Sequence, residues 1–242
     1  SMKKFLISLF VFMPFFYACK SVPLDLNQYS PVVLVSVYSN SAVPWYDEKS
    51  GTESVEDGVL SGAVNKAINK KNPENETVQE RINYAEQSLT QKIQEFGLEA
   101  ITPQNFPEGI AYKNAGKSLG DYIERTTPAE GYDSFISANS KIIRTMCKDS
   151  GGKSALYVNF HFQKVMVKEG VHNKGVAARV VMSVFGIDSQ GKKIVNKEYK
   201  AVSSDYADLI NSSNWDKQKL VSLFPEITDL VITNFLLDYA AN

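Results

Sequence analysis

Apolar residues in this chain recur with two different periods. Val78, Ile82, Ala85, Leu89, Ile93 and Phe96 step by three or four, which predicts an amphipathic helix with one buried stripe. Gly97 stands where a helix-ending glycine belongs. Over residues 155–168 the period is two. Leu156, Val158, Phe160 and Phe162 fall on one face, and Tyr157, Asn159, His161 and Gln163 on the other. Residues 176–187 and 193–202 predict two more strands, joined by a turn at Asp188-Ser189-Gln190-Gly191. Near the start, the β-branched run over residues 31–38 reads as a strand buried on both faces.

The weaker patterns fill in the order. A polar loop follows the first strand, up to Glu53. Ser54-Val55-Glu56-Asp57 resembles a capping box and predicts a helix over 55–70, broken by Asn72-Pro73. A short strand is expected at 98–101. Residues 102–131 are rich in proline and glycine and read as a flexible insertion holding one short helix, 117–125. A helix over 134–147 ends before Gly151-Gly152, and a helical region over 216–239 carries a kink or break at Pro225. The expected class is α/β with α+β character. A mixed sheet of about five strands ends in an antiparallel meander, with helices on both faces.

The first residues change the picture from a fold to an address. Lys3 and Lys4 precede an apolar run from Phe5 to Tyr17, then Ala18 and Cys19. A charged start, an apolar stretch and a small residue make the three-part layout of a secretory signal. The run is too short to span a bilayer, which takes about 20 residues. The cysteine directly after Ala18 makes it a bacterial lipoprotein signal, with a palmitate-type acyl anchor on Cys19. Phe16 and Tyr17 depart from the leucine and small residue usual in that box, so ordinary secretion and an uncleaved anchor remain as alternatives. The expected organisation is a signal peptide over 1–18, a lipidated tether over 19–30 and one domain over 31–242.

Charge and cysteines narrow the partners. Without Lys3 and Lys4 the chain has 24 basic against 27 acidic residues, a net charge of about −3. Nucleic-acid binding needs a basic patch and is not expected. If Cys19 carries lipid, Cys147 has no partner, and its place among Ile142, Ile143 and Met146 reads as a buried thiol.

Catalytic chemistry finds few parts. His161 and His172 lack cysteines or carboxylates at ligand spacing, so no metal or other cofactor is expected, and both read as solvent-facing. There is no nucleophile elbow. Gly116-Lys117-Ser118 and Gly152-Lys153-Ser154 lack the earlier glycine of a phosphate loop, where Ala111 and Cys147 stand. No catalytic residue is assigned. The residues that suit a membrane surface or an apolar ligand are Trp45 and Tyr46 after the first strand, Leu119, Tyr122 and Ile123 in the short helix, and Phe135 and Ile136 beyond it.

Two resemblances add to this. Residues 155–160, 178–188 and Gly191-Lys192-Lys193-Ile194 are similar to periplasmic lipoprotein domains of the curli-secretion and TolB amino-terminal type. There a strand ending in Asp turns through Gly into a returning strand before a closing helix. The tryptophan expected on the returning strand is absent, with Val195 and Asn196 near its place. With its signal, the chain also resembles treponemal outer-membrane lipoproteins that have amphipathic helices. That resemblance implies membrane contact or lipid carriage at the periplasmic face of the outer membrane. The expected function is therefore non-enzymatic, contacting membrane or binding lipid. A protein-binding scaffold of the cell envelope is the alternative.

Overall fold

The computed structural model describes residues 26–54, 72–107, 126–133, 140–211 and 214–239. Cys19, the helix expected over 55–70, and Leu119, Tyr122, Ile123, Phe135 and Ile136 all lie outside them.

A long hairpin is the spine of the fold. Strand β6 (Ser154–Glu169) pairs with β7 (His172–Asp188) from Ser154 opposite Asp188 to Glu169 opposite His172. Strands this long present two working edges. The free edge of β7 takes β8 (Lys193–Val202) along Arg179–Ile187 and β9 (Ala207–Asn211) at Gly175–Val176, both antiparallel. The free edge of β6 takes β1 (Val32–Asn40) in parallel and, further on, β2 (Trp45–Asp47) at a single bridge, Trp45 opposite Lys164. Strand β3 (Thr52–Ser54) folds back on β2. The far edge of β1 is shared by β4 (Ala100–Ile101), parallel, and β5 (Thr126–Pro128), antiparallel. β10 (Asn214–Trp215) closes the other end against β9.

The sheet is thus mixed, as the sequence predicts, and β6, β7 and β8 form the expected meander. Among the described residues it holds ten strands, not about five. The additional ones are two to five residues long and carry too little alternation to register as strands. β2 and β3 fall in the stretch read as a polar loop. β5 falls inside the Gly/Pro-rich segment, where it exists because the end of β1 offers it a partner.

Helices cover both faces. On the first lie α2 (Val78–Glu95), α4 (Lys217–Ser222) and α5 (Phe224–Tyr239). Val78, Ile82, Ala85, Leu89 and Ile93 of α2 are all buried, so the stripe is the packing face. Ile82, Ala85, Leu89 and Ile93 share one core with Leu156, Val158, Phe160 and Phe162 from β6 and Val231, Phe235 and Leu236 from α5. Gly97 ends α2 at φ 79°, a conformation that other residues rarely adopt. The 216–239 region is two helices that part at Leu223, and Pro225 sits in the first turn of α5, where its missing N–H is tolerated. Lys217–Asp238 is long and apolar enough to cross a membrane, with mean hydropathy 1.5, but half of that stretch is buried inside the domain.

On the second face lies α3 (Ser140–Asp149). Its Ile143, Met146 and Cys147 pack on Val33, Val35, Ala155 and Ile187. A bulge in β1 between Leu34 and Ser36 keeps the faces sorted. It places Val35 and Ser36 opposite one position of β6, so Val37 returns to the first face. Cys147 is fully buried, its Sγ 3.2 Å from the carbonyl of Gly152, and burial pushes its thiol up to about 11.

Candidate functional site

The alternation of β6 runs one step further than its apolar residues. After Leu156, Val158, Phe160 and Phe162 the next position on the core face is Lys164, and the lysine is buried there. A cation in an apolar interior needs a counterion. Glu74 supplies it from α1 (Pro73–Glu76), a single turn capped by Asn72 through its side-chain oxygen to the Glu74 N–H at 3.1 Å. The Lys164 Nζ lies 2.7 Å from Glu74 Oε2, with side-chain exposures of 6% and 3%. The other carboxylate oxygen accepts the Trp215 indole N–H at 3.0 Å.

Both tryptophans of the chain complete this cluster. Trp45 and Trp215 meet edge to face at 5.1 Å, and the Lys164 ammonium lies 5.1 Å from the first ring and 4.6 Å from the second. The rings of the loop expected to touch a membrane, Trp45 and Tyr46, are both half-buried and each packs against a cation of the domain. Trp45 is half-buried in this cluster. Tyr46 lies under the Arg179 guanidinium at 3.8 Å. Arg179 donates to Gln163, Gln163 donates to Glu53, and His161 Nε2 lies 2.8 Å from the same Glu53 carboxylate. The hairpin of β2 and β3 is thus fastened over the polar face of β6. His161 is half-buried, not solvent-facing, whereas His172 is exposed.

A third buried charge stands beside the cluster. Arg81 falls between Val78 and Ala85, on the apolar stripe of α2, and is only 6% exposed. Its guanidinium lies 5.4 Å from the ring centres of both Phe162 and Phe224. Its Nη1 donates to the Thr77 hydroxyl at 2.7 Å, and that hydroxyl donates to the Pro73 carbonyl at 2.7 Å. The Nε and Nη2 groups are buried with no hydrogen-bond partner among the described residues. Burial pushes the group down to about 10, partly opposed by the charge of Glu74. It stays a cation at neutral pH.

Arg81 forms part of the wall of a pocket of about 300 Å³ between α2 and the α4–α5 corner. Phe162, Phe224, Pro225 and Val221 give it a mostly apolar lining, with Glu80, Tyr84 and Ser222 nearer the solvent side. This is the small end of the size range of ligand sites. Asp229 fastens the helices beside its mouth, accepting from the hydroxyls of Tyr84, at 2.9 Å, and Ser88. Desolvation, then the bond to Asp229 and its charge, pushes the Tyr84 phenol up to about 12. A larger, open groove of about 620 Å³ lies on the second face among Tyr38, Tyr157, Asn159, Asn196, Glu198 and Lys200, and its walls mix polar and apolar atoms evenly enough to suit water.

Among the described residues no group of three or more His, Cys, Asp or Glu side chains is placed to hold a metal. Sequence reasoning missed Glu74, Arg81, Lys164 and Trp215. The signal it could have used is their phase, because Arg81 and Lys164 interrupt apolar stripes at positions that point inward. No protein-family model matches the chain, and no curated protein matches it.

Proposed function

We propose that this is a lipid-anchored, non-enzymatic protein of the bacterial cell envelope that binds a single-chain apolar ligand of membrane origin between α2 and α4–α5. The anchor is Cys19, and the periplasmic face of the outer membrane is the proposed site of work. The observation that carries the binding reading is the pocket at Phe162, Phe224 and Val221. An open apolar recess is costly to leave in contact with water, and its lining suits an acyl chain. The described amphipathic helices α2 and α3 have their apolar faces in the core, so this reading assigns lipid contact to a recess between helices and not to a helix lying in the membrane surface.

Native mass spectrometry of the mature chain with Cys19→Ser, incubated with a bacterial lipid extract, tests this. One acyl-chain molecule per protein is expected. Val221→Trp fills the recess and is expected to remove it while leaving the circular dichroism spectrum unchanged. No bound lipid in the parent protein refutes the ligand reading. Equal binding by Val221→Trp moves the ligand elsewhere. The anchor is tested separately by mass spectrometry of the protein isolated from its own membranes, where an unmodified Cys19 overturns it.

The scaffold alternative has its own observation. Leu230 and Leu237, seven residues apart on α5, are 47% and 53% exposed. A protein that crosslinks to Leu230→Cys and is competed by excess unmodified domain favours that reading.

A further inference from the structure

The buried charges beside the pocket do not balance. Arg81 and Lys164 are two buried cations, and Glu74 is the one buried anion described beside them. Glu74 is already committed, with one oxygen on Lys164 and the other on the Trp215 indole. Arg81 feels its charge from a distance but donates no hydrogen bond to it. Burying a charge without a partner is costly, and the large majority of buried side-chain donors find an acceptor. Two nitrogens of one guanidinium without acceptors mark a place where an acceptor belongs.

That place adjoins the recess. Arg81 lines it, while Phe162 and Phe224, which flank the guanidinium, continue as its apolar wall. A ligand that satisfies both features has a negative head and a hydrocarbon body. Glu80 stands at the same recess, exposed, and its carboxylate disfavours a head with a second negative charge.

We propose that the pocket selects a monoanionic amphiphile, an aliphatic carboxylate, whose head pairs with Arg81 through Nε and Nη2. This rests on the pocket being the ligand site, as proposed above. The fork of Nε and Nη2 matches the two oxygens of a carboxylate. Both nitrogens are buried, so the guanidinium turns toward the recess as the head enters.

Isothermal titration of the mature chain with Cys19→Ser, below the ligands' micelle concentrations, tests this with decanoate, decanol, decyl phosphate and acetate. Decanoate is expected to bind at least tenfold more tightly than decanol or decyl phosphate, with acetate silent at the same concentration. Arg81→Met keeps apolar bulk between Phe162 and Phe224 without the charge. It is expected to bind decanoate and decanol alike and to unfold at the same or a higher denaturant concentration than the parent. Arg81→Lys keeps the charge without the fork and is expected to fall between them.

The failures separate. If decanoate and decanol bind the parent equally, the head-group inference is wrong and the apolar pocket stands. Silence from all four ligands means the pocket reading fails and takes this inference with it. Decyl phosphate binding more tightly than decanoate, or acetate binding as well as decanoate, refutes the class of ligand named. A preference for decanoate that survives in Arg81→Met removes Arg81 from the role.

Discussion

Replacing Lys164 by methionine tests whether the buried charge cluster holds the fold together. At 2.7 Å, two unit charges at an effective dielectric constant of about 20 attract by about 6 kcal/mol. The variant does not lose all of that, because the fold relaxes and water reaches the freed carboxylate. The expected loss is about 3–4 kcal/mol, within the usual range for removing one partner of a buried pair. The chain has two tryptophans and both touch this cluster, so indole fluorescence during urea unfolding reports on it directly. Glu74→Gln together with Lys164→Met removes both charges and leaves an acceptor for the Trp215 indole, and should recover most of the loss. A deficit under about 1 kcal/mol refutes the view that this pair is a buried, mutually dependent unit.

Two further substitutions test neighbouring contacts. Asp229→Asn removes the charge and one acceptor from the clamp between α2 and α5. The Tyr84 phenol should then titrate below its present value of about 12 yet above an ordinary tyrosine, because desolvation, the larger cause, remains. Difference absorbance against the same proteins carrying Tyr84→Phe measures this, and an unmoved midpoint refutes the clamp. A methyl group at Gly175 would collide with the Tyr206 ring and the Ala207 carbonyl. Gly175→Ala should cost about 1–3 kcal/mol, and hydrogen exchange should show lost protection across β9 before β8. Uniform protection in the variant argues against the close approach.

The elements legible in the sequence are those whose pattern is repeated many times. α2 carries its stripe through five buried positions, and β6 and β7 alternate over most of their lengths, so face and period agree. Gly97 and Gly191 both take positive φ where the sequence places a helix end and a turn. The missed strands depend on partners far away in the chain. Thr126–Pro128 has no strand pattern of its own and is held by Tyr38, Ser39 and Asn40. Trp45 was readable as a residue that suits an interface, but not as half of a pair, because its partner Trp215 is 170 positions away and nothing local announces it. The mixed sheet could be inferred from element order; its ten-stranded form could not.

The candidate site was legible in a different way, through contradictions. A helical stripe of Val78, Ile82, Ala85 and Leu89 predicts an apolar residue in the sector that Arg81 occupies, and the strand series ending at Phe162 predicts one at Lys164. Surface charges fall anywhere on the solvated face, but a charge in the buried phase has to be matched by something. Lys164 is matched within the chain by Glu74. Arg81 is matched for one nitrogen, by Thr77, and not for the other two. If Arg81 were structural in the way Lys164 is, its fork would have an acceptor in the chain, and replacing it with methionine would destabilise the fold as Lys164→Met does. If its partner is a ligand, Arg81→Met should leave the empty protein at least as stable and cost only binding. Unfolding of the two variants side by side therefore separates a charge kept for the fold from a charge kept for function.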